Sequence, residues 1–508
     1  MDSHLLYPEK SQRGERPYPS FSEIFKDLSL NIILKTMSRN DISLMEQIRA
    51  VMMVPVRTPA VLTYRYEIIR DFEQNDGLSD EMYQLGKRGA ELAKQYKKEL
   101  EQNRNRAAAN TSIILSSLHF VSESLEILKE LSLTVRKKEA AFHSQGLLAL
   151  CRRFSRYPLE EFEEFHNQFE FYTTGGEGIF SVRIRGGLKI ESSRLCDCKN
   201  NKVSMPGRTS KKLLKFYYKT VKKDTILIED EALDRDIRHY TEQHMQHLMK
   251  FYKPFFDNLF SFWEDFFREI SFYQGVHTLQ ARMKELSLPY CYGEYANEQM
   301  HKDIEDLYEL SLALYVQTHP VTNSLKTENT CLTIITGANQ GGKSTFLRSF
   351  GIAQILMQCG MPVPAKKFCS GLFTEIHTHF TRKEDAMLSR GRLEEELKRM
   401  NTILSQITKD SLLLFNESFA STTEKEGSQI AYNIIMPCLQ KKITVMMVTH
   451  LHEFAKNMYE QHLPGTEFLV AERKDTGERT FRMISGKPHY SSFGTDLYQN
   501  MIEEENKN

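Results

Sequence analysis

The chain has 508 residues, of which 40% are hydrophobic and 26% charged, and its 67 Lys and Arg residues balance 67 Asp and Glu residues. This composition is typical of a globular protein and leaves no global basic field, so any DNA contact must come from local patches. The length predicts about three domains. No signal peptide or apolar run of about 18 residues is found, and the cysteines show no paired spacing, which predicts a cytoplasmic protein without a membrane span.

Four segments follow from the pattern along the chain. Residues 1–20 form an N-terminal extension. Residues 21–137 show apolar positions spaced by three and four, which predicts a helical core. Residues 138–300 combine long helices with a small β insertion near 179–224. Residues 301–508 alternate apolar strands with helices, which predicts an α/β domain with a P-loop.

A basic β-hairpin is predicted in the segment IFSVRIRGGLKIES, where apolar and polar residues alternate on either side of a Gly-Gly pair. The pair predicts a two-residue turn. The run KKLLKFYYKTVKK follows further along the chain. Such a run of charges fits a face exposed to solvent. Because the run lies near the basic hairpin in the sequence, we favour contact with phosphate groups. The candidate DNA-binding residues are Arg183, Arg185, Lys189, Lys211 and Lys212.

Helical spacing returns from about Glu229 to Tyr273, with a kink predicted at Pro254. The aromatic run FFDNLFSFWEDFF lies in this stretch. Large aromatic side chains at helical spacing are typical of a packed interior. We therefore interpret the run as part of a core helix and not as a cofactor site.

The strongest functional signal follows the apolar segment CLTIIT, which predicts a buried strand and leads directly into GANQGGKST and an amphipathic helix. This run fits G-x-x-x-x-G-K-[ST] in the strand, loop and helix context that a phosphate-binding loop requires. Glycines let backbone N–H groups turn toward phosphates, and the helix N-terminus favours negative charge. The predicted nucleotide-binding residues are Gly337, Ala338, Asn339, Gln340, Gly341, Gly342, Lys343, Ser344 and Thr345.

The chemistry predicted for this region is ATP hydrolysis with Mg²⁺. Lys343 neutralises the β- and γ-phosphates, and the Ser344 hydroxyl is a ligand of Mg²⁺. The apolar segments SLLLF and ITVMMV end close to further polar residues, and ligands bind at the carboxyl ends of parallel strands. Asn416 is expected to hold the Mg²⁺ shell. Glu417 is expected to orient or deprotonate the attacking water, and His450 to contact the γ-phosphate.

With these residues in view, the domain resembles the MutS mismatch-repair family. TGANQGGKSTFLR is similar to the family's Walker A run, ESFASTTEKEG to its Walker B and D-loop, and VTHLHEF to its H-loop. The similarity is good from Glu328 to Met501. It is fainter in PVRTPAVLTYRYEIIRDF, which resembles the family's helical core, and in SFYQGVHTLQARMKELSLPYCYGEY, which resembles its lever helices. The resemblance implies an ABC-type ATPase domain, with the hairpin in the position of the DNA clamp.

The sequence departs from the family pattern in several places. No mismatch-reading domain can be placed before the helical region, and the C-terminal helical dimer element is expected to be minimal after SSFGTDLYQNM. Asn416 stands where the family usually has Asp. Its amide oxygen can still bind Mg²⁺, but more weakly than a carboxylate does. GRLEEELKRMNTIL resembles the signature helix, with glycine where serine is expected. The residues expected to contact the partner subunit's γ-phosphate are Ser389, Arg390, Gly391 and Arg392.

Two functions of different classes are compatible with these features. The first, implied by the resemblance, is an ATP-driven homodimeric clamp on distorted, branched or mismatched DNA, selective for DNA structure and not sequence, in repair or recombination. The second is a nucleotide-gated scaffold that binds ATP with little hydrolysis and engages protein or RNA. A general mismatch sensor would need a base-reading domain that this sequence does not supply. Salt-dependent DNA binding distinguishes the first two.

Overall fold

The computed structural model describes residues 3–9, 16–103, 109–155, 178–185, 189–198, 231–296, 300–381, 391–474 and 479–488. Its helices, in chain order, are α1 (Phe21–Asp27), α2 (Leu30–Ser38), α3 (Ile42–Met52), α4 (Pro59–Gln74), α5 (Leu78–Asn103), α6 (Ala109–Lys137), α7 (Gln145–Ser155), α8 (Glu231–Glu285), α9 (Leu310–Val316), α10 (Lys343–Gln358), α11 (Arg392–Gln406), α12 (Glu424–Gln440) and α13 (His452–Glu460). Its strands are β1 (Gly178–Arg185), β2 (Lys189–Cys198), β3 (Cys291–Tyr292), β4 (Glu294–Tyr295), β5 (Lys302–Leu307), β6 (Asn323–Thr327), β7 (Leu332–Thr336), β8 (Pro362–Val363), β9 (Lys367–Ser370), β10 (Ile376–Phe380), β11 (Leu412–Asn416), β12 (Thr444–Val448), β13 (Thr466–Arg473) and β14 (Arg479–Ser485).

The chain forms two compact units, each built from stretches that are separate in sequence. The first unit comprises Met1–Ser3, Asp80–Phe142 and Leu147–Phe267. The second unit comprises His4–Ser79, His143–Gly146 and Arg268–Asn508. The division of the sequence into four linear segments remains a prediction. Across the described ranges, no helix combines the length and the apolar character needed to cross a bilayer.

The first unit is helical and carries the hairpin. Trp263 on α8 is fully buried, and Gly89 on α5 leaves room for it, because a Cβ at that glycine would lie 2.2 Å from the indole ring. Neighbouring aromatic residues of the run are also buried, including Phe262 and Phe266. The interpretation of this run as part of a core helix is therefore confirmed. The helix continues through Pro254.

The hairpin strands β1 and β2 pair antiparallel, as the alternating pattern predicted. Their register pairs Arg185 with Lys189 and shifts between Arg183 and Ile184. An irregularity of this kind is typical of a β-bulge. The predicted two-residue turn at Gly186 and Gly187 lies outside the described residues.

The second unit is organised around a six-stranded sheet in the order β10-β11-β12-β7-β13-β14. All neighbouring pairs are parallel except β13 and β14. Strands β7, β11 and β12 coincide with the predicted apolar segments, and nearly all of their residues are buried. Continuous burial is expected where both faces of a parallel sheet are covered. A smaller sheet has the order β4-β9-β5-β6.

Helix α10 is buried on every side, although the sequence pattern predicted an amphipathic helix. At Gly351 a Cβ would lie 2.8 Å from both Leu28 of the N-terminal segment and Leu414 of the sheet. Both elements therefore pack closely on this helix. Its polar residues, such as Gln354 and Gln358, are buried and hydrogen-bonded to each other.

A buried arginine joins the N-terminal helices to the end of α10. Arg65 on α4 is fully buried and donates to the carbonyl oxygens of Leu6 (3.1 Å) and Cys359 (2.7 Å). Its guanidinium also lies 5.5 Å from the ring centre of Phe272 on α8. A cation at a helix C-terminus stabilises the exposed carbonyl groups there. The helical N-terminal region and the mixed α/β region thus share one core within this unit.

Candidate nucleotide-binding site

The glycine loop joins β7 to α10 in a conformation that requires glycine. Gly337 and Gly342 have φ values of 119° and 91°. A Cβ at Gly337 would lie 2.9 Å from the backbone nitrogen of Ala471, and one at Gly342 would lie 3.2 Å from the carbonyl oxygen of Phe481. The loop is therefore packed against β13 and β14, and side chains at these two positions would force it away from them.

Lys343 begins α10 and folds back over the loop. Its Nζ donates to the carbonyl oxygens of Gly337 and Ala338, both at 2.8 Å, and the residue is only 4% exposed. Burial lowers the pKa of Lys343 to about 8, although the nearby Glu417 carboxylate acts in the opposite direction. The loop thus holds a buried cation at a helix N-terminus, where partial positive charge already favours an anion.

A cavity of about 380 Å³ opens beside this loop. The sequence-predicted residues that line it are Asn339, Gln340, Gly341, Gly342, Lys343, Ser344, Thr345 and Glu417. The opposite wall was not predicted from the sequence, and it includes Glu309, Leu312, Pro320, Val321, Asn323 and Phe481. No motif links these residues, because they come from the N-cap and first turn of α9, the segment after it, the start of β6, and β14. The signal that could have found part of this wall is the exposure of three large apolar side chains, Leu312, Val321 and Phe481.

Glu417 and His450 meet at the carboxyl edge of the sheet. Nε2 of His450 lies 3.2 Å from Oε1 of Glu417. This hydrogen bond holds the pKa of Glu417 below its usual value, although burial acts to raise it. Glu417 also has a φ of 56°, in the left-handed region that non-glycine residues rarely adopt. The carboxylate is therefore ionised and fixed at the edge of the cavity.

Asn416 ends β11 with an unused side-chain oxygen. Its Oδ1 is buried and has no hydrogen-bond partner among the described residues. Its backbone carbonyl is occupied, because Thr381 donates to it from its N–H at 3.0 Å. A buried oxygen without a partner is unfavourable unless something binds it. The residues present thus fit a Mg²⁺ ion, with Asn416 and the Ser344 hydroxyl as the protein ligands that the sequence predicted.

The other predicted site residues are described only in part. Gly391 immediately precedes α11, and Arg392 is the first residue of that helix. The first turn also carries Glu394 and Glu395, whose charges oppose an anion at this end. Ser389 and Arg390 lie outside the described residues.

The predicted DNA-binding residues fall in the first unit. The backbones of Arg183, Arg185 and Lys189 lie in the paired strands β1 and β2. Lys211 and Lys212 lie outside the described residues. Their predicted contacts with DNA stay predictions.

The fold and the site define a class of multidomain protein in which a helical N-terminal region precedes a mixed α/β domain with a glycine loop. Residues 333–501 match the family model of MutS domain V, which is an ATPase domain, and residues 57–286 match that of the MutS2 N-terminal domain. Among curated proteins, the DNA mismatch repair protein MutS of Thermotoga neapolitana is 32% identical over 166 residues, which are 32% of this chain and 20% of that protein. The Endonuclease MutS2 of Enterococcus faecalis is 30% identical over 165 residues, 31% of this chain and 20% of that protein.

The chain belongs to the MutS family. Proteins of this family are ATPases. The alignments cover about a fifth of the length of the curated relatives.

Proposed function

We propose that the chain is a MutS-type ATPase that binds Mg²⁺-ATP in the cavity beside the glycine loop and uses it to close as a dimer on distorted, branched or mismatched DNA. The observation that carries the proposal is the buried Lys343 ammonium, 2.8 Å from two loop carbonyls, at the wall of a cavity that Glu417 also lines. A fixed cation at a helix N-terminus and a carboxylate across the same cavity suit a phosphoryl group and an attacking water.

Phosphate binding is assigned to the loop. Lys343 exchanges its two carbonyl partners for phosphate oxygens, which compensates the cost of its burial. The loop N–H groups and the N-terminus of α10 add partial positive charge. The apolar wall that contains Leu312, Val321 and Phe481 receives the base and excludes water from it.

The reacting end of the nucleotide is assigned to β11 and β12. Glu417 orients or deprotonates the attacking water, and His450 keeps the carboxylate ionised through its hydrogen bond. Asn416 and Ser344 would hold Mg²⁺, which supplies positive charge against the phosphates when it is bound. The amide of Asn416 contributes a dipole and not a full charge, so the protein's own contribution to holding the metal is modest.

Dimer closure and DNA binding complete the proposal. The start of α11 at Arg392, with Ser389, Arg390 and Gly391 before it in the sequence, covers the nucleotide of a second subunit, and hydrolysis therefore needs two chains. Arg183, Arg185 and Lys189 of the hairpin contact DNA phosphates. Contacts of this kind add affinity without base specificity, which suits recognition of DNA structure.

The test is DNA binding by the purified chain to mismatched, branched and homoduplex substrates, with and without Mg²⁺-ATP, at two salt concentrations. We expect binding that weakens steeply with salt, because neutralised phosphates release counterions. We also expect ATP to change the preference among the substrates. Weak binding that ignores salt and ATP would contradict the proposal, and ATP binding without turnover would favour the scaffold function.

A further inference from the structure

The turn that carries Glu417 has an unusual backbone. Glu417 and Phe419 both lie in the left-handed region, with φ values of 56° and 65°. For a residue with a Cβ this region costs roughly 1 kcal/mol or more, so two such residues within three positions need support from outside the turn. What holds this turn therefore decides where the Glu417 carboxylate lies.

His379 on β10 provides one part of that support. Its Nδ1 lies 2.7 Å from the Ser418 hydroxyl, and its Nε2 lies 3.1 Å from the carbonyl oxygen of Glu396 on α11. The ring is fully buried and stacks on Phe419 with 5.5 Å between ring centres. One side chain thus contacts the two residues that follow Glu417 in the turn and reaches the helix beyond it.

Glu396 on α11 provides the other part. Its Oε2 accepts from the backbone N–H of Phe419 at 3.1 Å and from the Ser421 hydroxyl at 2.9 Å. Glu396 is 5% exposed, and its Oε1 finds no hydrogen-bond partner in the described part of the chain. A buried carboxylate that leaves one oxygen unpaired is retained at a cost in stability. We therefore interpret the hydrogen bonds of Glu396 as contacts that hold the turn, and not only as contacts that stabilise α11.

The protonation state of His379 follows from its surroundings. Burial, and secondly the nearby Arg399, lower the pKa of His379 to about 4, so the ring is neutral near pH 7. Because a carbonyl oxygen only accepts, Nε2 carries the proton that is donated to Glu396. Nδ1 is then an acceptor, and the single hydrogen of the Ser418 hydroxyl is shared between Nδ1 and the carbonyl oxygen of His379, each at 2.7 Å. The neutral ring therefore donates to the helix through Nε2 and faces the hydroxyl of the turn with Nδ1.

We propose that His379 is a positioning residue that couples α11 to Glu417, so that a ligand or subunit acting on the start of this helix changes the placement of the water-activating carboxylate. Glu396 lies about one helical turn from Arg392, where α11 begins. A small movement of that turn is passed to Ser418 through His379 and to Phe419 through Glu396. The inference rests on the proposed function, because it gives Glu417 its catalytic role.

The test compares variants that keep different halves of the bridge. His379→Ala removes both hydrogen bonds, His379→Asn keeps an amide at the position of Nδ1, and His379→Gln keeps one that reaches toward Nε2. His377→Gln is the matched control, since His377 is equally buried on the same strand but bonds Glu375 instead, at 3.1 Å. Steady-state ATPase rates and nucleotide affinity are measured for each.

We expect His379→Ala to lower kcat by about 10- to 100-fold, as for other residues that orient a reacting group, while the Kd for ATP stays within about twofold. His379→Asn and His379→Gln should each recover part of the rate, and His377→Gln should keep the wild-type rate. If His379→Ala retains the kcat of His377→Gln, or if kcat and ATP affinity fall together in all three variants, the inference is wrong.

A second measurement separates this inference from the proposed ATPase activity. Hydrogen exchange of residues 392–399 is followed with and without ATP, and we expect ATP to slow it in wild type and in His377→Gln but not in His379→Ala. A wild-type chain that binds ATP without turnover refutes the ATPase proposal, and the exchange data still decide the coupling. Equal ATP-dependent protection in His379→Ala and wild type overturns the coupling whatever the ATPase rate.

Discussion

Replacing Lys343 by methionine should abolish ATP binding without destabilising the nucleotide-free protein. Burial lowers the pKa of Lys343 from 10.5 to about 8, and at about 1.4 kcal/mol per pKa unit the ammonium is disfavoured by about 3 kcal/mol. Methionine removes this cost but leaves the carbonyl oxygens of Gly337 and Ala338 without their donor. Two lost hydrogen bonds cost about 1–3 kcal/mol together, so the variant should be as stable as wild type or more stable by about 1–2 kcal/mol.

The pH dependence of this difference has a definite sign. Between about pH 8 and the unfolded pKa near 10.4, the unfolded chain keeps the Lys343 proton and the folded chain loses it. Wild-type stability therefore rises with pH relative to the variant in this window. The advantage of Lys343→Met should be fully present below about pH 8, shrink as the pH rises above it, and become a disadvantage of about 1–3 kcal/mol, the two lost hydrogen bonds, as the pH approaches 10.4.

The assay is urea unfolding followed by far-UV circular dichroism, without nucleotide and in the presence of a chelator, at several pH values. Lys398→Met, at an exposed position of α11, is the control for losing a lysine. The reasoning is refuted by a Lys343→Met protein that is clearly less stable than wild type near neutral pH, or by a difference that does not change with pH. A variant that is still stabilised by Mg²⁺-ATP would show that Lys343 is not the phosphate partner.

Three further predictions concern the metal, the catalytic carboxylate and the hairpin. Asn416→Asp should lower the Mg²⁺ concentration for half-maximal ATPase rate several-fold, because a full charge replaces a dipole; an unchanged titration would remove Asn416 from the metal site. Glu417→Gln should trap an ATP-bound dimer on size-exclusion chromatography with little turnover, whereas a monomer would argue against a shared site. Replacing Arg183, Arg185 and Lys189 by alanine should reduce the slope of the logarithm of the DNA-binding constant against the logarithm of salt concentration by up to about three. An unchanged slope would assign these residues to a face exposed to solvent.

The sheet and its loop could be predicted because each depends on residues close together in sequence. The segment before Gly337 is rich in apolar residues and carries no charge, as expected for a strand buried on both faces, and β7 occupies it. The carboxyl ends of β11 and β12 follow from parallel pairing, which brings Glu417 and His450 within 3.2 Å. These features need no knowledge of how distant elements pack.

The parts that could not be predicted depend on contacts across the chain. α10 has polar residues along its length, yet it is buried on every side, and nothing local indicates that Leu28, more than 300 residues away, packs against Gly351. The apolar wall of the cavity could not be predicted for the same reason, because residues from separate parts of the chain form it. The bridge through His379 was missed because a buried histidine in an apolar strand is typical of a satisfied core position. Its partners Ser418 and Glu396 lie 39 and 17 residues away along the chain.

The geometry at Glu417 bears on whether ATP is hydrolysed or serves only as a structural ligand. A protein that merely binds ATP needs the loop and Lys343, and neither depends on the left-handed backbone at Glu417. That backbone stores roughly 1–3 kcal/mol and persists only because neighbouring contacts hold it. The hydrogen bond from His450 also keeps the carboxylate ionised, which suits a group that accepts a proton and adds nothing to phosphate binding, since the charge repels an anion. The strained backbone and the negative charge at Glu417 do not help ATP to bind, but both suit a carboxylate that promotes attack on the γ-phosphate. The geometry therefore favours hydrolysis over the scaffold function.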